Sequence, residues 1–410
     1  MDVTTRYALR SVGRNLRRTA LSIVGIGIGC ALAVFMESVN RGRDELFART
    51  AAFGGTGHLR VVPAQWRDRR DSRLRLADGR ADLDAARTMP GVQAVTPRTR
   101  AQVLLAMGSH VVPLEVVGVD PANEPKTYRF VQQMHAGRYL RPGERGSAVV
   151  GLAVADRLHA ELDDDIMVTA VGRGGSIESA MLRIVGIVAT GSEEIDAGIC
   201  QVALEDVERL TSLGGAGEIV VMLTDWRATE AARAALAARI ARGDEVLAWG
   251  EIAPELKGHI EQDNATSRFV RYIILLIVLL GVASAQLAAV LERRREFAVL
   301  SAIGMSSWVM VRLVLQEALA IGLIGGLVGL TIGGPLVWQF SRVGLDLRRY
   351  MGSNYTFSGV VIEPVIYGDF GLWIVTYVLI VAVGATIVAS LYPAWFAART
   401  DPAVALRVAQ

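Results

Sequence analysis

Cysteine, histidine and charge are all scarce in this sequence. It contains two cysteines, five histidines and 20% charged residues, against 52% hydrophobic residues. Cys30 lies within a long apolar run and Cys200 lies far away in a mixed region, which excludes a disulfide framework. The histidines are widely spaced, and none has the spacing of a metal-binding motif. The sequence therefore predicts a protein with neither a structural metal nor disulfides.

Catalytic motifs are missing as well. The chain has no GxxxxGKS/T segment to bind ATP phosphates, and HExxH, CxxC and a nucleophile elbow are also absent. These absences argue against an enzyme acting alone. We expect no cofactor in this chain and no nucleic-acid partner.

Four apolar runs are each long enough to cross ~30 Å of hydrocarbon as a helix, which takes ~20 residues. A soluble core seldom contains four such runs. The sequence predicts a polytopic α-helical membrane protein with four transmembrane helices and a large α+β extracytoplasmic (periplasmic) domain between the first two. The predicted segments are an amphipathic cytoplasmic helix 1–18, first span 19–40, outer domain 41–265, second span 266–291, coupling helix 292–307, third span 308–340, outer loop 341–369, fourth span 370–392 and cytoplasmic tail 393–410.

The first run follows several arginines, as the apolar part of a signal peptide does. However, residues 37–41 read Glu-Ser-Val-Asn-Arg, which is not a small-residue cleavage motif. We interpret the run as an uncleaved membrane helix.

Arginines cluster beside the ends of the runs. Five precede the first run, three lie between the second and the third, and two follow the fourth. Basic residues near helix ends stay on the cytoplasmic side. Four crossings place all three clusters on that side, which predicts cytoplasmic termini and an outer position for residues 41–265.

Residues 41–265 alternate short apolar strands with helical stretches. A hairpin is expected at Gly108-Ser109, between strands 100–107 and 111–118, and an alanine-rich helix from Thr229 to Arg242. We expect two lobes, at about 41–130 and 140–250.

The segment between the second and third runs begins with charges and becomes amphipathic. Gly304 is a typical helix end, so a short helix parallel to the membrane is predicted. Such a helix can receive force from a cytoplasmic partner. The alternative, which physical arguments alone slightly favour, is a stop-transfer cluster followed by a tight turn.

Two features mark the spans. Glu317 interrupts the third run, and an ionisable group there is a functional candidate unless it reaches the polar headgroups. Glycines spaced four apart allow helices to approach closely and predict a packed interface. They are Gly25 and Gly29 in the first run, and Gly322, Gly325, Gly326, Gly329 and Gly333 in the third.

Three segments together resemble the permease family of MacB/FtsX-type ABC transporters. They are the start ALRSVGRNLRRTALSIVGIGIGCAL, the loop ERRREFAVLSAIGMSSWVMVRLVLQEA and the ending YPAWFAARTDPAVALR. Within the family, VVGLAVADRLHAELDDDIMVTA and IVGIVATGSEEIDAGICQVALEDVERL resemble lipoprotein-releasing permeases of the LolC/LolE kind. Residues 171–179 are short and lack the proline of the loop that recruits a periplasmic carrier in those systems, which puts recruitment by this chain in doubt.

The resemblance implies a bacterial inner-membrane permease that contacts membrane lipid and pairs with a second copy or a paralogous permease. A separate cytoplasmic ABC ATPase would bind ATP and Mg, and a periplasmic lipoprotein carrier is a further candidate partner. The residues expected to couple to the ATPase are Glu292, Arg293, Arg294, Arg295, Glu296, Phe297, Leu300, Ile303 and Gly304. A lipid-modified substrate is expected against Phe35, Met36, Phe269, Tyr272 and Ile273.

Two other functions stay open. An FtsX-like regulator of a cell-wall hydrolase would need no substrate cavity, and the large outer domain argues against it. A MacB-like efflux permease carries its ATPase in the same chain, before the first span, whereas this chain starts at the membrane.

Overall fold

The structure is a computed structural model that describes residues 16–69, 71–346, 355–357, 360–362 and 365–399. Most of the amphipathic helix predicted at 1–18, and the part of the predicted tail beyond residue 399, lie outside the described residues. The chain divides into two compact units. One contains the described residues of 44–260 together with 355–357 and 360–362, and the other contains 16–43, 261–346 and 365–399.

The helices are α1 Leu16–Phe53, α2 Trp66–Arg69, α3 Gly79–Arg87, α4 Glu124–Thr127, α5 Leu152–Leu158, α6 Glu193–Asp196, α7 Leu204–Thr211, α8 Thr229–Ala237, α9 Trp249–Ile252, α10 Pro254–Glu292, α11 Arg294–Ala302, α12 Ser307–Val343 and α13 Trp373–Ala398. The strands are β1 Leu59–Pro63, β2 Val92–Met107, β3 His110–Val119, β4 Met134–Gly137, β5 Ser147–Gly151, β6 Asp165–Val171, β7 Ile177–Val188, β8 Cys200–Ala203, β9 Glu218–Leu223, β10 Asp244–Ala248, β11 Leu345–Asp346, β12 Tyr355–Phe357, β13 Val360–Ile362 and β14 Val365–Ile366.

Within the described residues, four helices are long and apolar enough to cross a membrane: α1, α10, α12 and α13. A domain of mixed strands and helices lies between the first and the second of them. The predicted fold class is therefore confirmed.

Three of these helices are much longer than the hydrocarbon is thick: α1, α10 and α12, the last with 37 residues. Of the three, α1 and α10 lead into residues 41–265. α1 has 38 residues and α10 has 39, which is about 57 Å at 1.5 Å per residue, against ~30 Å of hydrocarbon. α1 continues past Met36 because no proline interrupts it. It ends just before Gly55, which has a φ of 108° that favours glycine. The helices therefore run further into residues 41–265 than the predicted boundaries.

Glycines on α12 bring it close to two neighbours on two different faces. A Cβ atom at Gly325, Gly329 or Gly333 would come within 2.6–2.8 Å of a side chain of α1, and one at Gly322 or Gly326 within 2.3–2.9 Å of a side chain of α13. Each glycine thus makes room for one neighbouring side chain. Gly325, Gly329 and Gly333 face Ile26, Cys30 and Val34 of α1, and Gly322 and Gly326 face Thr386 and Ala382 of α13.

The two glycines of the first run differ. A Cβ at Gly29 would lie 2.2 Å from Val278 of α10, whereas one at Gly25 would meet no described atom within 4 Å. Gly25 is therefore not at a packed interface, because its face of α1 points into open space.

The helix of the fourth span continues without a break past Pro393. The predicted span ends at residue 392, but α13 is continuous from Trp373 to Ala398. Pro393 is buried in the bundle. Helix bundles in membranes tolerate an internal proline because neighbouring groups and local adjustments satisfy the freed backbone groups.

The outer domain is built on one ten-stranded mixed sheet. Its order is β10-β1-β9-β2-β3-β8-β5-β7-β4, with β6 paired to β2 and β7. Gly108 and Ser109 form the predicted turn, since Met107 pairs with His110. The expected division into lobes 41–130 and 140–250 differs from the structure. One core includes β1, β9, β10 and α8, and the other includes β3, β5, β6 and β7. Strands from both ends of the domain pair with one another, which sequence order conceals.

The described part of the loop 341–369 forms two short strand pairs. β11 pairs with β14, and β12 pairs with β13, both antiparallel.

Buried charges join the outer sheet to the end of α1. Arg60 on β1 and Arg100 on β2 both contact Glu218 on β9 at 3.1 Å, and Arg98 contacts Glu124 at 2.8 Å. Arg60 and Arg98 also donate hydrogen bonds to the carbonyl oxygen of Gly55. Since buried ions need partners, this set fixes the chain just after α1 to the sheet.

Glu218 keeps its charge although it is buried. Burial raises the pKa of Glu218, but the positive charges of Arg100 and Arg60 outweigh burial and hold that pKa at about 2, below its ordinary value of 4.5. Because the folded-state pKa is depressed, this contribution to stability is present above about pH 4.5 and is lost as pH falls toward 2.

We predict that Glu218→Gln lowers the free energy of opening of β2 and β9 by about 3 kcal/mol at pH 7, because two buried guanidinium groups lose their anion. Hydrogen exchange of the full chain measures this. The control is Asp165→Asn, which removes an exposed ion pair with Arg183 and should cost less than about 1 kcal/mol. Equal protection of β2 and β9 in Glu218→Gln and wild type would contradict the prediction.

Candidate functional site

The segment between α10 and α12 forms the predicted short helix. α10 ends at Glu292, Arg293 has non-helical backbone angles, and α11 runs from Arg294 to Ala302. Gly304 follows with a φ of 101°, so it provides the helix end expected from the sequence. We call residues 292–306 the connector.

Arg293 does not lie on an outer surface of the connector. Its Nη1 atom lies 2.8 Å from Oε2 of Glu317 on α12, and its Nε atom lies 3.2 Å from Oε2 of Glu296. The guanidinium also lies 5.3 Å from the centre of the Phe297 ring. The side chains of Arg293 and Glu317 are 12% and 10% exposed. The expectation that Arg293 docks a partner is therefore wrong in this structure, because the side chain is engaged within its own chain.

Phe297 is also turned inward. It is 2% exposed and belongs to a cluster with Val290, Met310, Leu313 and Val314 that also includes Ala394 and Ala397. Leu300 packs against the same cluster. These two residues cannot fill a groove on another protein in this arrangement, because the apolar face of α11 covers the ends of α12 and α13.

The opposite side of the connector is exposed. Arg295, Val299, Ala302 and Ile303 are all exposed, and they recur every three or four residues, which places them on one face. Ile303 is 79% exposed, and Trp308 at the start of α12 is 75% exposed. We call Arg295, Val299, Ala302, Ile303 and Trp308 the connector stripe. Of the other predicted coupling residues, Glu292 is exposed, and Arg294 and Glu296 are half-buried.

The sequence left the partner of Glu317 open, and the structure identifies it as Arg293. The signal that could have paired them is an acidic residue in an apolar run together with an arginine in the segment before that run.

An apolar groove of about 550 Å³ lies between α1 and α10. Its walls are almost entirely hydrocarbon or glycine, and Gly25 and Gly281 leave it open because neither has a side chain. The lining residues are Leu21, Ser22, Gly25, Ile26, Ile28, Gly29, Leu32, Ile274, Ile277, Val278, Gly281, Val282 and Ala285.

The five predicted substrate residues do not line this groove. Phe35 packs against Phe340 with ring centroids 5.3 Å apart, and Met36 is half-buried. Phe269, Tyr272 and Ile273 are exposed. The predicted pair of helices is present, but the cavity lies nearer to the end of α1 that begins at Leu16.

Beyond the groove, ion pairs join α1 to α10 and to the segment before α13. Arg271 lies 3.0 Å from Glu37, and Arg41 lies 3.1 Å from Glu37 and 3.8 Å from Asp369. Arg41 also stacks 4.0 Å above the Trp373 ring. We call these residues the clasp. Arg271 is a charged residue within an apolar run, and this is the sequence signal that could have indicated the clasp.

The hairpin at residues 171–177 is exposed. Val171 pairs with Ile177 across a turn at Arg173–Gly175, and both side chains are exposed. Elsewhere, no group of three or more potential metal ligands occurs among the residues that the structure describes. Cys30 and Cys200 are both buried and unpaired.

Comparison with known proteins gives two family matches. Residues 268–402 match the model of the FtsX-like permease C-terminal domain. Residues 19–239, more than half of the chain, match the model of the MacB-like periplasmic core domain.

Two curated relatives match over nearly the whole chain. The lipoprotein-releasing system transmembrane protein LolC of Neisseria meningitidis is 25% identical over 407 residues, covering 95% of this chain and 94% of that protein. The macrolide export ATP-binding/permease protein MacB of Hyphomonas neptunium is 26% identical over 418 residues, covering 98% of this chain and 60% of that protein. The crystal structure of the periplasmic region of MacB from Actinobacillus actinomycetemcomitans aligns with a TM-score of 0.36 and 13% identity, covering 51% of this chain and 95% of that one.

Four membrane helices, a mixed α and β domain after the first, and family matches to both parts lead to one assignment. The chain belongs to the MacB/FtsX-type family of ABC transporter permeases.

Proposed function

We propose that this permease uses ATP hydrolysis by a separate cytoplasmic ATPase to release lipid-modified proteins from the bacterial inner membrane. The observation that carries the proposal is the apolar groove between α1 and α10. The 25% identity to a lipoprotein-releasing protein along most of both chains supports the same cargo.

The groove suits acyl chains because of its surface and its position. Each methylene group buried away from water contributes ~0.8 kcal/mol, so a lipid-anchored protein leaves the bilayer only if another apolar surface receives its chains. The groove offers such a surface next to membrane lipid, with no charged side chain in its lining. Cargo is therefore transferred between apolar environments before it is extruded.

The arginine clusters support an orientation with both termini in the cytoplasm. The connector then faces the cytoplasm, and residues 44–260 lie in the periplasm. In this orientation the groove extends across the middle of the first two membrane spans, and the clasp lies toward the periplasm.

The connector stripe is the docking surface that we propose for the ATPase. Arginine flanked by exposed apolar side chains is a composition that protein interfaces favour. ATP and Mg would bind in the partner, whose motion would enter this chain through α11 and pass to α10 and α12. A second permease, identical or paralogous, would close the open side of the groove.

A periplasmic carrier has a candidate contact in the hairpin 171–177. Its exposed Val171 and Ile177 supply apolar surface, and the missing proline means that such a contact would differ from the proline-containing loop of related systems.

Filling the groove tests the cargo. We predict that Gly25→Leu and Gly281→Leu each reduce lipoprotein release from proteoliposomes at least tenfold, a loss of about 1.4 kcal/mol in cargo binding, because the new side chain occupies acyl space. The control is Gly334→Leu, since a Cβ at Gly334 also meets no described atom within 4 Å and Gly334 does not line the groove. Full release by both groove variants would overturn the assignment of the groove.

Charging the connector stripe tests the docking surface. We predict that Val299→Asp and Ile303→Asp each reduce co-purification of the ABC ATPase about tenfold or more, because a carboxylate would be buried at an apolar contact. Ser306→Asp is the matched control, because it adds the same charge at an exposed position beside the stripe. If all three variants retain the ATPase, another surface performs the docking.

Efflux of a small molecule or peptide is the second candidate, and the identity to the macrolide export protein favours it. Mass spectrometry of the complex purified in detergent separates the two. A bound triacylated protein supports lipoprotein release, whereas an unacylated small molecule or peptide that stimulates ATP hydrolysis supports efflux.

A further inference from the structure

We propose that the ion pair between Arg293 and Glu317 is a positioning device that holds the connector at one fixed orientation on α12, so that force applied to α11 moves the spans. This inference rests on the proposed function and assigns a role to two residues that lie outside the connector stripe.

The location of Arg293 makes it the joint of the connector. Arg293 is the single non-helical residue between the last residue of α10 and the first of α11. Its guanidinium contacts one carboxylate within the connector and one on α12. The side chain of Arg293 therefore links the orientations of α10, α11 and α12.

Apolar packing alone does not provide this orientation. The contacts of Phe297 with Met310, Leu313 and Val314 hold α11 to the bundle, but apolar attraction is non-directional. A nitrogen–oxygen contact of 2.8 Å between charged groups has a narrow preferred geometry. The ion pair is thus a directional contact that resists rotation of α11 about its packed face.

Burial makes this ion pair sensitive to the loss of either member. Both side chains are about nine-tenths buried, and removing one member of such a pair leaves the other charge without compensation. A pair that only attached α11 to the bundle could be replaced by apolar side chains, as buried ion pairs often can. A positioning pair cannot, because apolar side chains do not specify direction.

The first test measures orientation in the permease alone. Spin labels at Ala302→Cys on α11 and Leu323→Cys on α12 occupy exposed positions, and the native Cys30 and Cys200 are buried. In the full chain in lipid nanodiscs, we expect a narrow distance distribution in the wild type. We expect it to broaden about twofold or more in Glu317→Gln and Arg293→Gln, as for loss of a directional contact.

Two further variants separate positioning from general damage. Arg293→Glu combined with Glu317→Arg should restore a narrow distribution, and Arg293→Lys should restore it in part. Arg312→Gln removes an exposed charge from the same helix and should leave the distribution unchanged. If Glu317→Gln and Arg293→Gln both give the wild-type distribution, the proposal is wrong.

The second test measures coupling with the ABC ATPase and a triacylated lipoprotein in proteoliposomes. Glu317→Gln should retain the ATPase, because the connector stripe is intact, and should still hydrolyse ATP. The lipoprotein released per ATP should fall about tenfold, the size of a typical coupling free energy. Unchanged release per ATP in Glu317→Gln would overturn the proposal even if the distances broaden.

The two tests also distinguish this inference from the function on which it rests. If the wild-type chain binds no ATPase or releases no lipoprotein, the proposed function fails. The distance measurement on the permease alone then still decides whether Arg293 and Glu317 fix the direction of α11.

Discussion

The backbone of a helix in hydrocarbon must satisfy all its hydrogen bonds internally, and this constraint determines the design of the chain. It keeps α1 and α10 continuous through the membrane. Neither helix has an internal break, and each has enough residues to extend about 57 Å. In the proposed mechanism, a helix that is longer than the hydrocarbon is thick carries motion from one aqueous side to the other without an intervening loop.

Directional polar contacts occur where the orientation of α1 and α10 must be fixed. Arg60 and Arg98 bind the Gly55 carbonyl after the end of α1. Glu37 and Arg271 join α1 to α10, and Arg293 binds Glu317 where α10 gives way to α11. Elsewhere in the bundle, glycines of α12 lie against side chains of α1 and α13, which permits close approach of the helices. The helices are therefore packed closely at glycines and oriented by a few polar contacts.

Hydropathy predicted the four helices because transfer into hydrocarbon depends on composition summed over about 20 residues. The direction in which a side chain faces depends on tertiary packing, which the summed hydropathy does not describe. Gly25 and Gly29 have the same spacing signal, yet a Cβ at Gly25 would meet no described atom within 4 Å, whereas one at Gly29 would meet Val278. The family resemblance assigned Phe297 to a contact with the ATPase, but its own bundle buries it. The residues predicted to contact substrate do not line the groove for the same reason, since only packing shows where α1 and α10 separate.

The position of the groove between two kinds of contact has a mechanical consequence. The clasp ties α1 to α10 on one side of it, and Arg293 ties the far end of α10 to α12 on the other. α1 is packed against α12 through Gly325, Gly329 and Gly333, and a smaller share of the apolar part of α10 is buried than of α1, so α10 is the less packed wall. In the proposed mechanism, a force on the connector therefore acts on this wall, at the end opposite the clasp. In the proposed mechanism, the groove narrows first near the connector, which drives acyl chains toward the periplasmic side.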